Sequence, residues 1–323
     1  MSQAEIKRHL NGQTLPQFRL KSSVASQRWE RFVIACLVLC SLITIATTVG
    51  IIVMLVGNST GFFANRDIEL WKFLTDTKWT MGQTQSSLGD YGILPLLSGT
   101  LRITGIAMLI ALPLGLISAV YLSEYATRRT RSILNPALEI LAGIPTVVLG
   151  YFAVVFITPH FLRLIDEDFK AFNAASAGIA VGILCLPLVT SLAEDALQAV
   201  PNSLREGALG LGSTKFETTL KVVVPAALSG IVSAFLLALA RAIGETMVVV
   251  LAAGSTPTFT LDPRAQSQTM TGYIVNVFNS DNVVPGTVQY YSVYAVAVVL
   301  FLITLSLTLL GQWVRKRYRE VYH

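Results

Sequence analysis

FVIACLVLCSLITIATTVGIIVMLV, residues Phe32 to Val56, is a run of 25 residues without a charge. An α-helix needs about 20 apolar residues to cross a hydrocarbon core. A signal-peptide core is shorter than this run, so it is read as an uncleaved first span. Five further stretches qualify: about Leu94 to Leu122, Leu134 to Thr158, Ala174 to Ala193, Pro225 to Ala253 and Tyr291 to Val314. Without water, backbone N–H and C=O groups must be satisfied inside each crossing segment. The expected fold class is therefore all-α, a polytopic membrane protein with six transmembrane helices. Pro113 and Pro187 fall inside runs, as membrane helices permit when neighbours re-satisfy the freed groups.

Composition agrees. Of 323 residues, 53% are hydrophobic and 13% charged, and the mean hydropathy is +0.62; water-soluble chains carry about twice that charged fraction. The net charge of +5 does not point to nucleic acid, because Lys and Arg lie in short segments between the apolar runs, not on one basic face. Cys36, Cys40 and Cys185 all sit inside apolar runs, where neither a metal knuckle nor a disulfide framework is built. No metal and no cofactor is expected.

The short segments set the orientation. The two tails and the second and fourth connections hold sixteen Lys and Arg, against six in the first, third and fifth connections. The positive-inside rule then places both termini in the cytoplasm. Residues 1–31 are read as a cytoplasmic tail, 32–314 as the membrane domain and 315–323 as a second cytoplasmic tail. The fifth connection, about Gly254 to Tyr290, suits docking of an external partner or flexible linkage alike.

The loop over 194–224 is the most informative connection. Ser203 and Glu206 have capping-box spacing and open a short helix, Gly210 and Gly212 end it, and helical spacing resumes through Phe216, Leu220, Val223 and Val224 into the fifth run. Gly210-Leu-Gly212-Ser-Thr-Lys215 fails as a phosphate-binding loop, since Lys215 does not follow a glycine and no strand precedes it. No nucleotide site is expected in this chain.

Glu206, Gly207, Ala208, then three residues, Gly212, then nine residues, Val222, one residue, Val224 and Pro225 resemble the Glu-Ala-Ala loop of ABC-importer permeases. Gly207 stands for the first alanine, and valines for Ile and Leu. The resemblance implies a type I ABC-importer permease fold. It also implies that Glu206, Gly207, Ala208 and Gly212 belong to a coupling helix seated in a groove of a cytoplasmic ATPase.

The fifth run carries Arg241 and Glu245. A charge at the bilayer centre costs about 2.5–3.5 kcal/mol on insertion scales. Four residues apart on one helix they would share a face and pair. Arg241 is read as a station for a crossing anion, since a guanidinium matches oxyanion oxygens with a fork of donors. Glu245 either holds Arg241 or accepts a hydrogen bond from a protonated phosphate oxygen; a neutralised pair that only locks helices is the alternative.

LARAIGETMVVVLAAG (Leu239 to Gly254), LPLLSGTL (Leu94 to Leu101), LPLGLISAVYLSEYA (Leu112 to Ala126), LEILAGIPTVVLG (Leu138 to Gly150) and TMTGYI (Thr269 to Ile274) resemble the permease of phosphate ABC importers, PstC type. Met247 and Val248 follow Thr246, where the sister PstA type usually has Ala-Pro. That resemblance implies a phosphate pathway including Arg241, Glu245 and Thr246. It implies as partners a PstA-type permease, two PstB-type ATPases and a PstS-type extracytoplasmic binding protein, in the inner (cytoplasmic) membrane. ATP hydrolysis then belongs to a partner, and this chain is a transport subunit. Rival readings are another oxyanion cargo (phosphonate, sulfate, molybdate) or a non-conducting scaffold or sensor of phosphate status. Arg102, where the family more often has an apolar residue, is expected to snorkel to the outer interface, and Glu139 to pair with Arg131 or Arg128.

Overall fold

Glycine and proline interrupt two of the long apolar runs of this chain, at Gly143–Pro145 and at Gly244. The computed structural model describes residues 24–64, 68–80, 90–280 and 283–317, with side chains from residue 29 onward. The expected tail over 1–23, Arg66 and the final residues 318–323 lie outside the described residues. Met1–Met54 and Leu55–His323 form two compact units.

Helix α1, Val24–Phe63, begins within the stretch expected as a tail; none of its residues from Trp29 to Met54 is buried. In the larger unit, α2 is Leu70–Thr75. Helix α3 is Leu94–Val120, and a π-helical turn, Tyr121–Tyr125, prolongs it. Helix α4 is Arg128–Ala142, and α5 crosses as Thr146–Ile165. Then come α6, Ala174–Gln198, α7, Asn202–Gly210, and α8, Lys215–Ala226, which meets α9, Leu228–Ile243, at a bend of 68°. Helices α10, Met247–Ala252, α11, Met270–Phe278, and α12, Val288–Arg317, complete the chain. Among the described residues, five helices are long and apolar enough to cross a membrane, or six when the bent α8–α9 pair is one span.

Two expected spans are corrected. The third does not run from Leu134 to Thr158: Gly143 ends α4, and the extended Pro145 (ψ 133°) restarts the chain as α5. Helix α4 is amphipathic instead, with basic residues in its first turn and no buried residue. The fifth is not one helix from Pro225 to Ala253, because it bends after Ala226 and breaks again at Gly244–Thr246.

The α3–α6 seam is the centre of the fold. Ile103, Ala107 and Ala111 pack against Ala177, Val181 and Leu184, all buried. A Cβ on Gly178 would stand 2.6 Å from Ile106 Cβ, and one on Gly182 3.0 Å from the Ala107 carbonyl. Small residues are what allow membrane helices to approach so closely when no hydrophobic effect drives them together. One end of the bundle holds an aromatic cluster of Phe62, Phe73, Trp79, Tyr91 and Tyr273, where the buried Tyr273 hydroxyl meets Ser292 Oγ at 2.7 Å. The other end holds Ala119, Leu197, Val223 and Ile231, the second and third of these contributed by the 194–224 segment.

Candidate functional site

The charged residues of the fifth run occupy different elements. Arg241 lies in the last turn of α9, Gly244 closes that helix, and Thr246 precedes α10 with φ −119° and ψ −60°. The break keeps Arg241 and Glu245 off a shared helix face, and they form no ion pair within 4.0 Å. The expected pairing is therefore corrected. Glu245 turns to the start of α10, where its Oε1 accepts from the Val248 N–H at 3.4 Å. The Glu245 carbonyl accepts from Thr271 Oγ1 of α11 at 2.8 Å. Thr246 Oγ1 donates to the Gly244 carbonyl at 3.1 Å. The buried Cys185 thiol of α6 lies within electrostatic reach of both Arg241 and Glu245.

Arg241 is exposed and lines a cavity of about 320 Å³ between α4, α6 and α9. Glu139 of α4, and Ser191 and Glu194 of α6, share its wall, with Leu138, Leu184 and Leu188 supplying apolar surface. Glu245 and Thr246 are not among its lining residues. Glu194 is compensated: Arg131 Nε stands 3.5 Å from Oε1, and Gln198 Nε2 donates to the same oxygen at 2.8 Å. Arg131 also donates to the Leu122 and Ser123 carbonyls at the end of α3. The expected Glu139 pairing with Arg131 or Arg128 does not form; Arg131 is spent on α3 and α6. A guanidinium on a half-apolar wall, with a hydroxyl and carboxylates near it, can hold an oxyanion by directed donors.

The 194–224 loop folds as a helix, a glycine turn and a second helix, as its spacing indicates. Its capping differs. Pro201 already stands at the helix start, so Ser203 falls inside the first turn of α7 and no side chain caps it. The capping box is at Thr214 and Glu217, opening α8. Gly212 takes φ +89°, with the Gly212 and Ser213 N–H groups donating back to the Leu209 and Ala208 carbonyls. That left-handed closure requires glycine at little cost. Glu206 and Gly207 are exposed and Ala208 is half-buried. A Cβ on Gly207 would meet nothing within 4 Å, so an alanine would fit there as well. Leu209, Phe216 and Leu211, the last 90% exposed, leave apolar surface open around the turn.

Sequence reasoning missed what fixes this loop to the bundle. Arg205 Nη2 lies 3.0 Å from Glu124 Oε1 in the π-helical end of α3 and donates to the Leu197 carbonyl at 2.7 Å. The same guanidinium donates to the Val200 carbonyl and to Asn202 Oδ1 at 3.2 Å. Lys215 Nζ sits 4.9 Å from the Tyr125 ring centre. Glu124 and Tyr125 are remote in sequence and the Leu197 and Val200 partners are main-chain atoms, so no local pattern announces them.

At the opposite end, Arg102 is only 8% exposed and does not snorkel. Its Nη1 donates to the Thr260 and Asp262 carbonyls at 2.8 Å each, and Nη2 to the Gln266 carbonyl at 3.4 Å. The same loop satisfies the start of α6, where the Ala174 and Ala175 N–H groups donate to the Ala265 and Pro263 carbonyls. The fifth connection is thus bonded down from Gly254 to Thr269, not a flexible link there. Arg264 Nη1 meets Asp166 Oδ2 at 2.9 Å, and its Nε meets Asp262 Oδ1 at 3.1 Å. The Asp168 N–H, then Arg264, holds the Asp166 carboxyl below its ordinary value. Arg264 does the same to Asp262 and is itself raised by both.

A helical bundle with several spans, a basic-anchored loop at one face and a charged cavity among its helices defines a multi-pass membrane transport subunit. The chain belongs to the family described as the binding-protein-dependent transport system inner membrane component, whose model matches residues 111–320. It is 31% identical to the probable ABC transporter permease protein YqgH of Bacillus subtilis over 86% of this chain and 88% of that one. It is likewise 31% identical to the probable phosphate transport system permease protein PstC of Methanocaldococcus jannaschii, over 71% of this chain and 77% of that one. In fold it resembles a chain of a bacterial ABC transporter involved in alginate import, with a TM-score of 0.63 and 14% identity over 91% of this chain and all of that one. Its fold is the type I ABC-importer permease fold.

Proposed function

We propose that this chain is the PstC-type permease subunit of an ATP-driven phosphate importer. The observation that carries the reading is Arg241, without an ion-pair partner among the described residues and facing the 320 Å³ cavity, in a chain whose relatives include a phosphate permease. A guanidinium at that depth is costly unless it serves a charged passenger. Arg241 is the anion station; Glu245 and Thr246 form the adjoining break that lets α9 and α10 move separately. Glu206, Gly207, Ala208 and Gly212 form the coupling element, with Leu211 and Phe216 offering apolar surface to an ATPase groove. Both termini lie in the cytoplasm, and the clamped 254–269 loop faces the side from which cargo arrives.

The complete machine pairs this chain with a PstA-type permease, two PstB-type ATPases and a PstS-type binding protein. Closure of the ATPases on ATP pulls α7, and the Arg205–Glu124 tie passes the motion to α3, shifting the exposure of Arg241 between the two sides. The test is uptake of radiolabelled phosphate by proteoliposomes holding the assembled complex, ATP inside and loaded binding protein outside. Uptake that requires ATP is expected. No phosphate uptake, with sulfate, molybdate or a phosphonate carried instead, would overturn the cargo; no uptake of any anion by an intact complex would favour the scaffold or sensor reading.

A further inference from the structure

The cavity that receives Arg241 also receives Glu139, and neither has an oppositely charged partner within 4.0 Å among the described residues. Glu194 on the same wall is already compensated by Arg131 and Gln198. The uncompensated charges lining the cavity are therefore one guanidinium and one carboxylate, with the Ser191 hydroxyl also on the wall. Such a pair, held apart, suits a ligand that presents acceptor oxygens to one group and a donor to the other. A carboxylate accepts hydrogen bonds only. Facing an anion whose oxygens are all acceptors, it adds like-charge repulsion and gains nothing.

We propose that Glu139 is a specificity-determining residue of this cavity, accepting a hydrogen bond from a protonated oxygen of the anion that Arg241 holds. Phosphate and arsenate keep at least one O–H near neutral pH, whereas sulfate and molybdate keep none. Glu139 thus takes the proton-reading role that the sequence offered to Glu245, whose carboxylate points to the Val248 N–H instead. Sites built around a substrate O–H reject analogues lacking it far more strongly than sites that sort by size. No bond is made or broken; the proton stays on the anion. This assignment rests on the reading of Arg241 as the anion station.

The test is equilibrium dialysis of radiolabelled inorganic phosphate against the purified, fully assembled transporter without its external binding protein, with arsenate or sulfate as competitor. Wild type is expected to bind phosphate, to lose it to arsenate, and to resist sulfate at tenfold excess. In Glu139→Gln the amide N–H can donate to sulfate, and sulfate is expected to compete at least tenfold better while phosphate still binds. Glu139→Asp keeps the carboxylate and is expected to keep the discrimination. Glu139 is exposed, so these variants should assemble at wild-type yield. If Arg241→Gln abolishes phosphate binding but Glu139→Gln leaves the sulfate-to-phosphate ratio unchanged, the role of Glu139 is wrong and that of Arg241 stands. Unchanged phosphate binding in Arg241→Gln, or none in wild type, removes both.

Discussion

Replacing Arg205 by methionine should loosen the loop helix from the bundle, and the structure gives the scale. Arg205 is 18% and Glu124 9% exposed at the side chain, with 3.0 Å between the charged atoms. Removing one partner of a buried ion pair costs about 3–5 kcal/mol. The pair lies at the edge of the bundle, where water screens part of that, so ~2–3 kcal/mol is a fair expectation. The Leu197 and Val200 carbonyls also lose a donor, while methionine keeps most of the aliphatic packing. Because about 1.4 kcal/mol is tenfold in an equilibrium, amide hydrogen exchange over Asn202–Gly210 should accelerate by roughly 30- to 150-fold when exchange proceeds through local opening. Exchange in the α3–α6 seam should not change. The double variant with Glu124→Gln should cost less than the two singles added. Exchange over Asn202–Gly210 within threefold of wild type would refute the tie.

Other expectations follow from single features. Gly212→Ala meets no steric obstacle but must hold φ +89°, at about 1–2 kcal/mol; faster exchange at the 208–214 turn checks this, with Gly212→Asn milder than Ala. Arg102→Met removes the guanidinium donor from the Thr260 and Asp262 carbonyls, while the Gln266 carbonyl keeps Thr258 Oγ1, and at ~1.5–3 kcal/mol per charge-assisted bond, partly offset by losing a desolvated charge, protease cleavage over 254–269 should rise at least tenfold. Asp166 and Asp262 are both held below the ordinary aspartate range in the folded chain, by hydrogen bonds from the Asp168 N–H and Arg264, so their bonds to Arg264 should be intact at neutral pH. They should be lost as pH falls through those depressed values, and exchange of the 260–268 amides across that range should show it, with Arg264→Gln flattening the profile.

Much of the architecture was legible because lipid demands long apolar helices, and Phe32–Val56 or Ala174–Ala193 satisfy that demand almost without interruption. Hydropathy could not show where those helices break. Gly143–Pro145 and Gly244–Thr246 lie inside apolar runs, so hydropathy alone sets the third span too early and makes the fifth a single helix. That second error joined Arg241 to Glu245 and hid the cavity that joins Arg241 to Glu139. The spacing of Ser203 and Glu206 fits a capping box, but Pro201, with φ near −58°, starts the helix two residues sooner, and the capping box forms at Thr214 and Glu217. Arg205–Glu124 and Arg102 with its carbonyls depend on tertiary approach across 81 and about 160 residues, which no local periodicity encodes.

Phosphate transport by Arg241→Gln bears most directly on the whole account. The variant must co-assemble at wild-type yield and retain basal ATP hydrolysis, so that only the guanidinium is missing from the 320 Å³ cavity. Uptake of radiolabelled phosphate into proteoliposomes is expected to fall at least a hundredfold, roughly the loss of ~2.7 kcal/mol of anion stabilisation, with partial recovery in Arg241→Lys. Uptake within a factor of two of wild type would contradict the placement of Arg241 on the anion's path.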